Sequence, residues 1–113
     1  MESNKVKIKN VHGQFEVPPG YISWINYWER NMSKMAHSCQ VCGCSETENL
    51  KGGHVHKHGD DENVYLVPIC SNDNHYTVTG EFEVPEDMLL LVPKNDLKRK
   101  IVEEWMNEVI NNQ

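Results

Sequence analysis

The residues of this chain best suited to hold a metal ion or move a proton are crowded together. All four cysteines and four of the six histidines fall within residues 39–75. They come in the order Cys39-x-x-Cys42-Gly43-Cys44, then Gly53-His54-Val55-His56 with His58, then Cys70-x-x-Asp73-Asn74-His75. A Cys-x-x-Cys followed by glycine is a tight turn that aims two sulfurs at one point, and Cys70 lies about one hairpin further on, where a third sulfur can join them. Zinc, bound tetrahedrally by thiolate, imidazole and carboxylate, is the ion this donor set suits. Asp73, His75 and Cys44 compete for the fourth position, in that order of preference: Asp73 sits where a second knuckle would place its closing cysteine, whereas Cys44 would share a very short loop with two other ligands. The bland alternatives are buried thiols, a disulfide pair or a redox Cys-x-x-Cys. Metal is favoured over these, because no apolar leader precedes the motif and Gly43-Cys44-Ser45 does not open a helix.

Positioning such a cluster takes a small scaffold. With 113 residues, 38% of them hydrophobic, the chain builds one modest core and one domain, residues 1–113, to which a structural ion would add stability. A formal charge of −6 excludes broad non-specific binding to phosphate backbones and leaves basic surface only locally, at Lys5, Lys7 and Lys9 or at Lys98, Arg99 and Lys100. No apolar run is long enough to cross a membrane, so the reading is a cytoplasmic protein with no membrane partner.

Periodicity supplies the elements. Residues 5–9 alternate as a strand with Val6 and Ile8 inward, and residues 14–17 are expected to return as its hairpin partner. The row of lysines on the outer face reads as a solvated or edge-protecting face more readily than as a phosphate contact. Pro18-Pro19-Gly20 stops the strand, and residues 21–36 read as a helix with Tyr21, Ile25, Trp28, Met32 and Met35 on one face and Trp24 beside them. Residues 52–56 and 64–69 read as two strands joined by a polar turn; strand character returns at 76–84 and again at 88–92. Residues 96–111 read as a second amphipathic helix with Asp96 as its N-cap. The segments Gly13-Gln14-Phe15-Glu16-Val17-Pro18 and Gly80-Glu81-Phe82-Glu83-Val84-Pro85 match at five of six positions, as two similar strand ends on one sheet would.

Over residues 39–76 the ordered set Cys39-x-x-Cys42-Gly43, Gly53-His54-Val55 and Leu66-Val67-Pro68-Ile69-Cys70-x-x-Asp73-Asn74 resembles the zinc-containing branch of the HNH nucleases, the His-Me finger or ββα-metal fold. The resemblance implies a small α+β domain: a zinc-stapled ββα-type knuckle core flanked by an N-terminal hairpin and helix and a C-terminal strand and helix. It implies structural zinc on Cys39, Cys42, Cys70 and Asp73, with His54 as the general base. Asn74 and His75 would lie near a catalytic Mg2+ or other divalent cation, completed by His56, His58 or His75. The chain departs from the pattern at Gly53, where the family has an aspartate, and at Tyr65, where it has the asparagine that orients the histidine; Asn63 lies two residues away. Two functions follow as expectations. One is a metal-dependent endonuclease acting on DNA. The other is a non-catalytic zinc module that binds or inhibits a protein partner.

Overall fold

The computed structural model describes residues 4–11, 15–41, 43, 50–71 and 80–98. Among them, β1 (Lys5–Asn10), β2 (Leu50–Lys57), β3 (Asp60–Cys70), β4 (Glu81–Pro85) and β5 (Leu90–Val92) form one antiparallel sheet in the order β4-β1-β2-β3-β5. One helix, α1 (Trp24–Met32), is described, between β1 and β2. The result is a small mixed domain in which the sheet dominates.

The β2–β3 hairpin is its spine. Leu50 pairs with Cys70 at one end and Lys57 with Asp60 at the other, across a turn at His58 and Gly59. Gly59 holds φ +83 there, a conformation that costs glycine nothing. From Val64 to Cys70 every residue of β3 except Tyr65 is buried, so both of its faces are covered. Such continuous burial explains an apolar run without alternation.

α1 rests directly on this hairpin because of one missing side chain. A Cβ on Gly52 would stand 2.7 Å from the Trp24 carbonyl carbon, so the glycine lets the helix backbone touch β2. Ser23 caps the helix by accepting from the Asn26 N–H at 3.1 Å, and Ser33 ends it in the left-handed region at φ 57. Trp24, Tyr27 and Trp28 form the buried stripe. Their polar tips are tied down: Trp24 Nε1 donates to the Phe15 carbonyl, Trp28 Nε1 to the Met88 carbonyl and Tyr27 Oη to Asp96 Oδ2, at 3.0, 2.9 and 2.8 Å.

Several expectations change. The N-terminal hairpin is replaced: β1 lies between β4 and β2, and Phe15 makes only an isolated bridge. β1 is therefore no edge, and its Lys7 and Lys9 stand opposite Glu83 and Glu81 of β4, so opposite charges face each other across the strand pair. The helix is shorter than 21–36, its stripe turns toward Trp24 and Tyr27, and Met35 lies beyond its end, 64% exposed. Residues 88–92 begin with the 3-10 turn Glu86–Met88 before β5. Asp96 caps no helix; it closes the 3-10 turn Lys94–Asp96, and Leu97 follows at φ −106, ψ 80. Residues 99–111 of the expected second helix lie outside the described residues, as do 76–79 of the expected strand.

Candidate functional site

The knuckle end of the hairpin comes first. Cys39 and Cys70 are both buried in the central core, 1% and 5% exposed. The Gln40 N–H donates to the Pro68 carbonyl at 3.0 Å, which lays the Cys39 turn against the end of β3 that carries Cys70. Gly43 adopts φ +78 and its N–H donates to the Cys39 carbonyl at 2.9 Å, so the backbone closes the turn that the sequence spacing demands. Cys42, Cys44, Asp73, Asn74 and His75 lie outside the described residues. Among the described residues no three His, Cys, Asp or Glu side chains group as a metal site. What the two described cysteines offer fits a thiolate-bound ion: buried sulfurs on adjoining segments, with a glycine turn beside one of them.

His54 occupies the middle of β2, opposite Leu66, and it is not placed as the resemblance implies. The imidazole is only 8% exposed, with the Phe15 ring 4.5 Å away and the Trp24 ring 4.4 Å away edge-on. Its Nε2 is buried and has no hydrogen-bond partner among the described residues. Burial pushes its pKa down from 6.5 to about 4, since a cation there would lose water and gain no acceptor. A base must reach a water molecule; this ring is walled off by the helix and by Phe15.

Two residues along the strand the situation reverses. His56 shares a sheet face with His54, because strand side chains repeat every second residue. Its Nδ1 lies 2.8 Å from the Asn63 carbonyl. A carbonyl only accepts, so Nδ1 carries the proton and a neutral ring presents its lone pair at Nε2. Asn63 is itself fixed: its N–H and side-chain amide donate to Asp60 Oδ1 and Oδ2 at 3.2 and 3.1 Å. Those hydrogen bonds hold the Asp60 carboxyl below its ordinary pKa.

His56 lines an open cleft of about 480 Å³ together with Lys9, Lys57, His58, Asp61 and Glu81. His58 Nδ1 meets Glu81 Oε2 at 2.7 Å. Lys57 pairs with Glu86 at 3.3 Å and lies over the Tyr65 ring, whereas Lys9 has no ion pair among the described residues. This cleft and the Cys70 end of the hairpin are separated by six residues of β2, roughly 20 Å at the usual rise of a strand. Strand periodicity puts His56 beside His54 in the sequence reading. Nothing in the sequence signals Glu81, which arrives only because β4 pairs with β1.

No protein-family model, no curated protein and no solved structure matches this chain. Its function therefore rests on the geometry of these two regions.

Proposed function

We propose that this is a zinc-stapled phosphodiesterase of HNH-like kind in which His56, not His54, is the general base. The observation that carries the reading is the 2.8 Å hydrogen bond from His56 Nδ1 to the Asn63 carbonyl. The resemblance expects a histidine at position 54 oriented by an asparagine at position 65. The chain instead offers a histidine two residues later and an asparagine two residues earlier. The β2–β3 register shifts between Val55 and Lys57, and that irregularity brings the Asn63 backbone carbonyl to His56, nearer the turn. On β2 the displacement is even, so His56 keeps the face of His54.

The residues then divide the work. Asn63 fixes the ring's tautomer and orientation; His56 Nε2 takes the proton of the attacking hydroxyl or water; Lys9 offsets phosphate charge at the cleft wall. At the other end of the hairpin, Cys39, Cys42 and Cys70 would hold the structural zinc with one of Asp73, His75 or Cys44.

The test is nicking of plasmid DNA and cleavage of short DNA and RNA oligonucleotides by the zinc-loaded protein, with magnesium, manganese or nickel and without added metal. Wild-type protein is expected to cut, His56→Ala to lose on the order of 100-fold or more, and His54→Leu to retain activity. Folded protein that cuts nothing under any of these conditions, or activity that follows His54 and ignores His56, sinks the proposal. The first result leaves the non-catalytic zinc module that binds a protein partner, a reading favoured by the sealed position of His54.

A further inference from the structure

The cleft contains a second histidine, the more exposed His58, whose ring meets Glu81, and the reading above gives it no task. We infer that His58 is the general acid of this site and that the substrate is single-stranded RNA, cut at its own 2′-hydroxyl without help from an added metal ion. The inference rests on His56 being the base.

The two rings are anchored in different ways. His56 gives its Nδ1 proton to a carbonyl at 2.8 Å, a neutral acceptor, which leaves Nε2 as the lone pair of a base. His58 gives its Nδ1 proton to the Glu81 carboxylate at 2.7 Å, and the ring so paired can donate from Nε2 when both nitrogens carry protons. Both line one cleft with Lys9, and the volume of about 480 Å³ lies in the range of small-ligand sites. A base, an acid and a cation lining one cleft are the groups that phosphoryl transfer to an internal hydroxyl requires.

The step balances within those residues. His56 Nε2 takes the proton of the ribose 2′-hydroxyl as O2′ bonds to phosphorus. The bond from phosphorus to the 5′-oxygen breaks with its electron pair, and that oxygen takes the proton from His58 Nε2. The products are a 2′,3′-cyclic phosphate and a 5′-hydroxyl; His56 leaves charged and His58 neutral, and proton exchange with water resets both. DNA cannot react this way because it lacks the nucleophile. Glu81 is a positioning residue, acting through His58.

Charge limits the substrate further. The carboxylates of Asp61 and Glu81 balance Lys9 and Lys57 in the lining, and the chain carries a formal −6. Few phosphates can then be neutralised, so binding should be weak, insensitive to salt and no tighter for long strands than for short ones.

The test uses a fluorescent single-stranded RNA 8-mer of mixed sequence and the same strand with 2′-deoxyribose throughout. Full-length zinc-loaded protein is assayed in the presence of EDTA, after tryptophan fluorescence has shown that the fold survives the chelator. The expected result is RNA cleavage giving 2′,3′-cyclic phosphate ends, an uncut deoxy strand, and a loss on the order of 100-fold or more for His56→Ala and His58→Ala separately. Lys9→Gln should raise KM more than it lowers kcat, and Glu81→Gln should displace one limb of the pH–rate profile. Cleavage only with a divalent ion, or of both strands alike, overturns this inference while leaving the proposed function standing. Cleavage equally strong in all variants marks a contaminant and overturns it too. No cleavage of any substrate with or without metal removes both.

Discussion

Acidification should unlock this domain at His54 before the rest of the protein responds. The imidazole is packed between Phe15 and Trp24 with Nε2 buried, and its pKa falls from 6.5 to about 4 because burial penalises the charged ring. The unfolded chain binds the proton at the ordinary value, so between the two values the unfolded state holds more protons than the folded state. Stability is therefore fully present above about pH 6.5 and is lost as pH falls toward 4. Working the linkage through those two values gives a loss of about 2 kcal/mol at pH 5 and about 3 kcal/mol at pH 4. For a domain of ordinary stability that is a large part of the whole.

The measurement is the urea midpoint, read by tryptophan fluorescence, at half-unit steps from pH 7.5 to 4.5. Acid also protonates any cysteine thiolate that holds zinc, and for that reason the wild-type curve alone does not isolate the histidine. His54→Leu, close to histidine in size and free of a titrating group, supplies the reference. The two proteins should agree to within about 1 kcal/mol at pH 7 and diverge by about 2 kcal/mol near pH 5, the variant being the more stable. Two curves that fall in parallel across the window would refute the reasoning, since the loss would then belong to groups both proteins share.

Two further expectations concern the scaffold. Gly52→Ala places a methyl group 2.7 Å from the Trp24 carbonyl carbon, and because that obstacle is backbone the helix must lift; the expected cost is about 2 kcal/mol or more in urea unfolding, with the Trp24 environment altered in fluorescence. Zinc analysis of protein purified without added metal should find one ion per chain, and Cys39→Ser or a strong chelator should lower the melting temperature by about 10 °C or more. A metal-free chain that melts unchanged in chelator would return Cys39 and Cys70 to the role of ordinary core thiols.

What the sequence disclosed, and what it withheld, follows the reach of each interaction. β2 and β3 were legible because their evidence is local: an apolar run, a turn at Gly59, and a pairing partner no more than 20 residues away. The start of α1 was blurred by three residues because Tyr21 and Ile22 continue the apolar pattern, whereas Ser23 caps it and Ile22 is left 89% exposed. The position of β1 was not legible at all. Alternation in residues 5–9 fixes which side faces inward, yet nothing in it says that the partners are β2 and β4 rather than the nearby residues 14–17. The five-residue match between 13–18 and 80–85 even points the wrong way, for among the described residues only the second copy forms a strand. Choosing between His54 and His56 is harder still. The residues that seal one and leave the other open, Phe15 and Trp24, are 30 or more positions away in the chain.

The same hairpin thus assigns three tasks along its length, and register decides which histidine receives which. Near Cys70 it is tied to the Cys39 turn. In the middle, Gly52 admits the helix backbone, Trp24 comes down over the next inward residue, and that residue is His54, so the price of close packing is a ring removed from water. Beyond it the pairing of β2 with β3 breaks between Val55 and Lys57, where the Asp60 carboxylate gathers the backbone N–H groups of Glu62 and Asn63. A regular ladder would present the Asn63 carbonyl to a backbone N–H; here it meets the ring of His56 instead. Deleting the Asp60 carboxylate should therefore be felt at His56. Asp60→Ala should leave the Trp24 region unchanged, yet shift the His56 ring resonances in an NMR titration and weaken any cleavage that depends on His56. Were His56 indifferent to that substitution, the irregular register would be a feature of the turn alone and would have no part in setting the base.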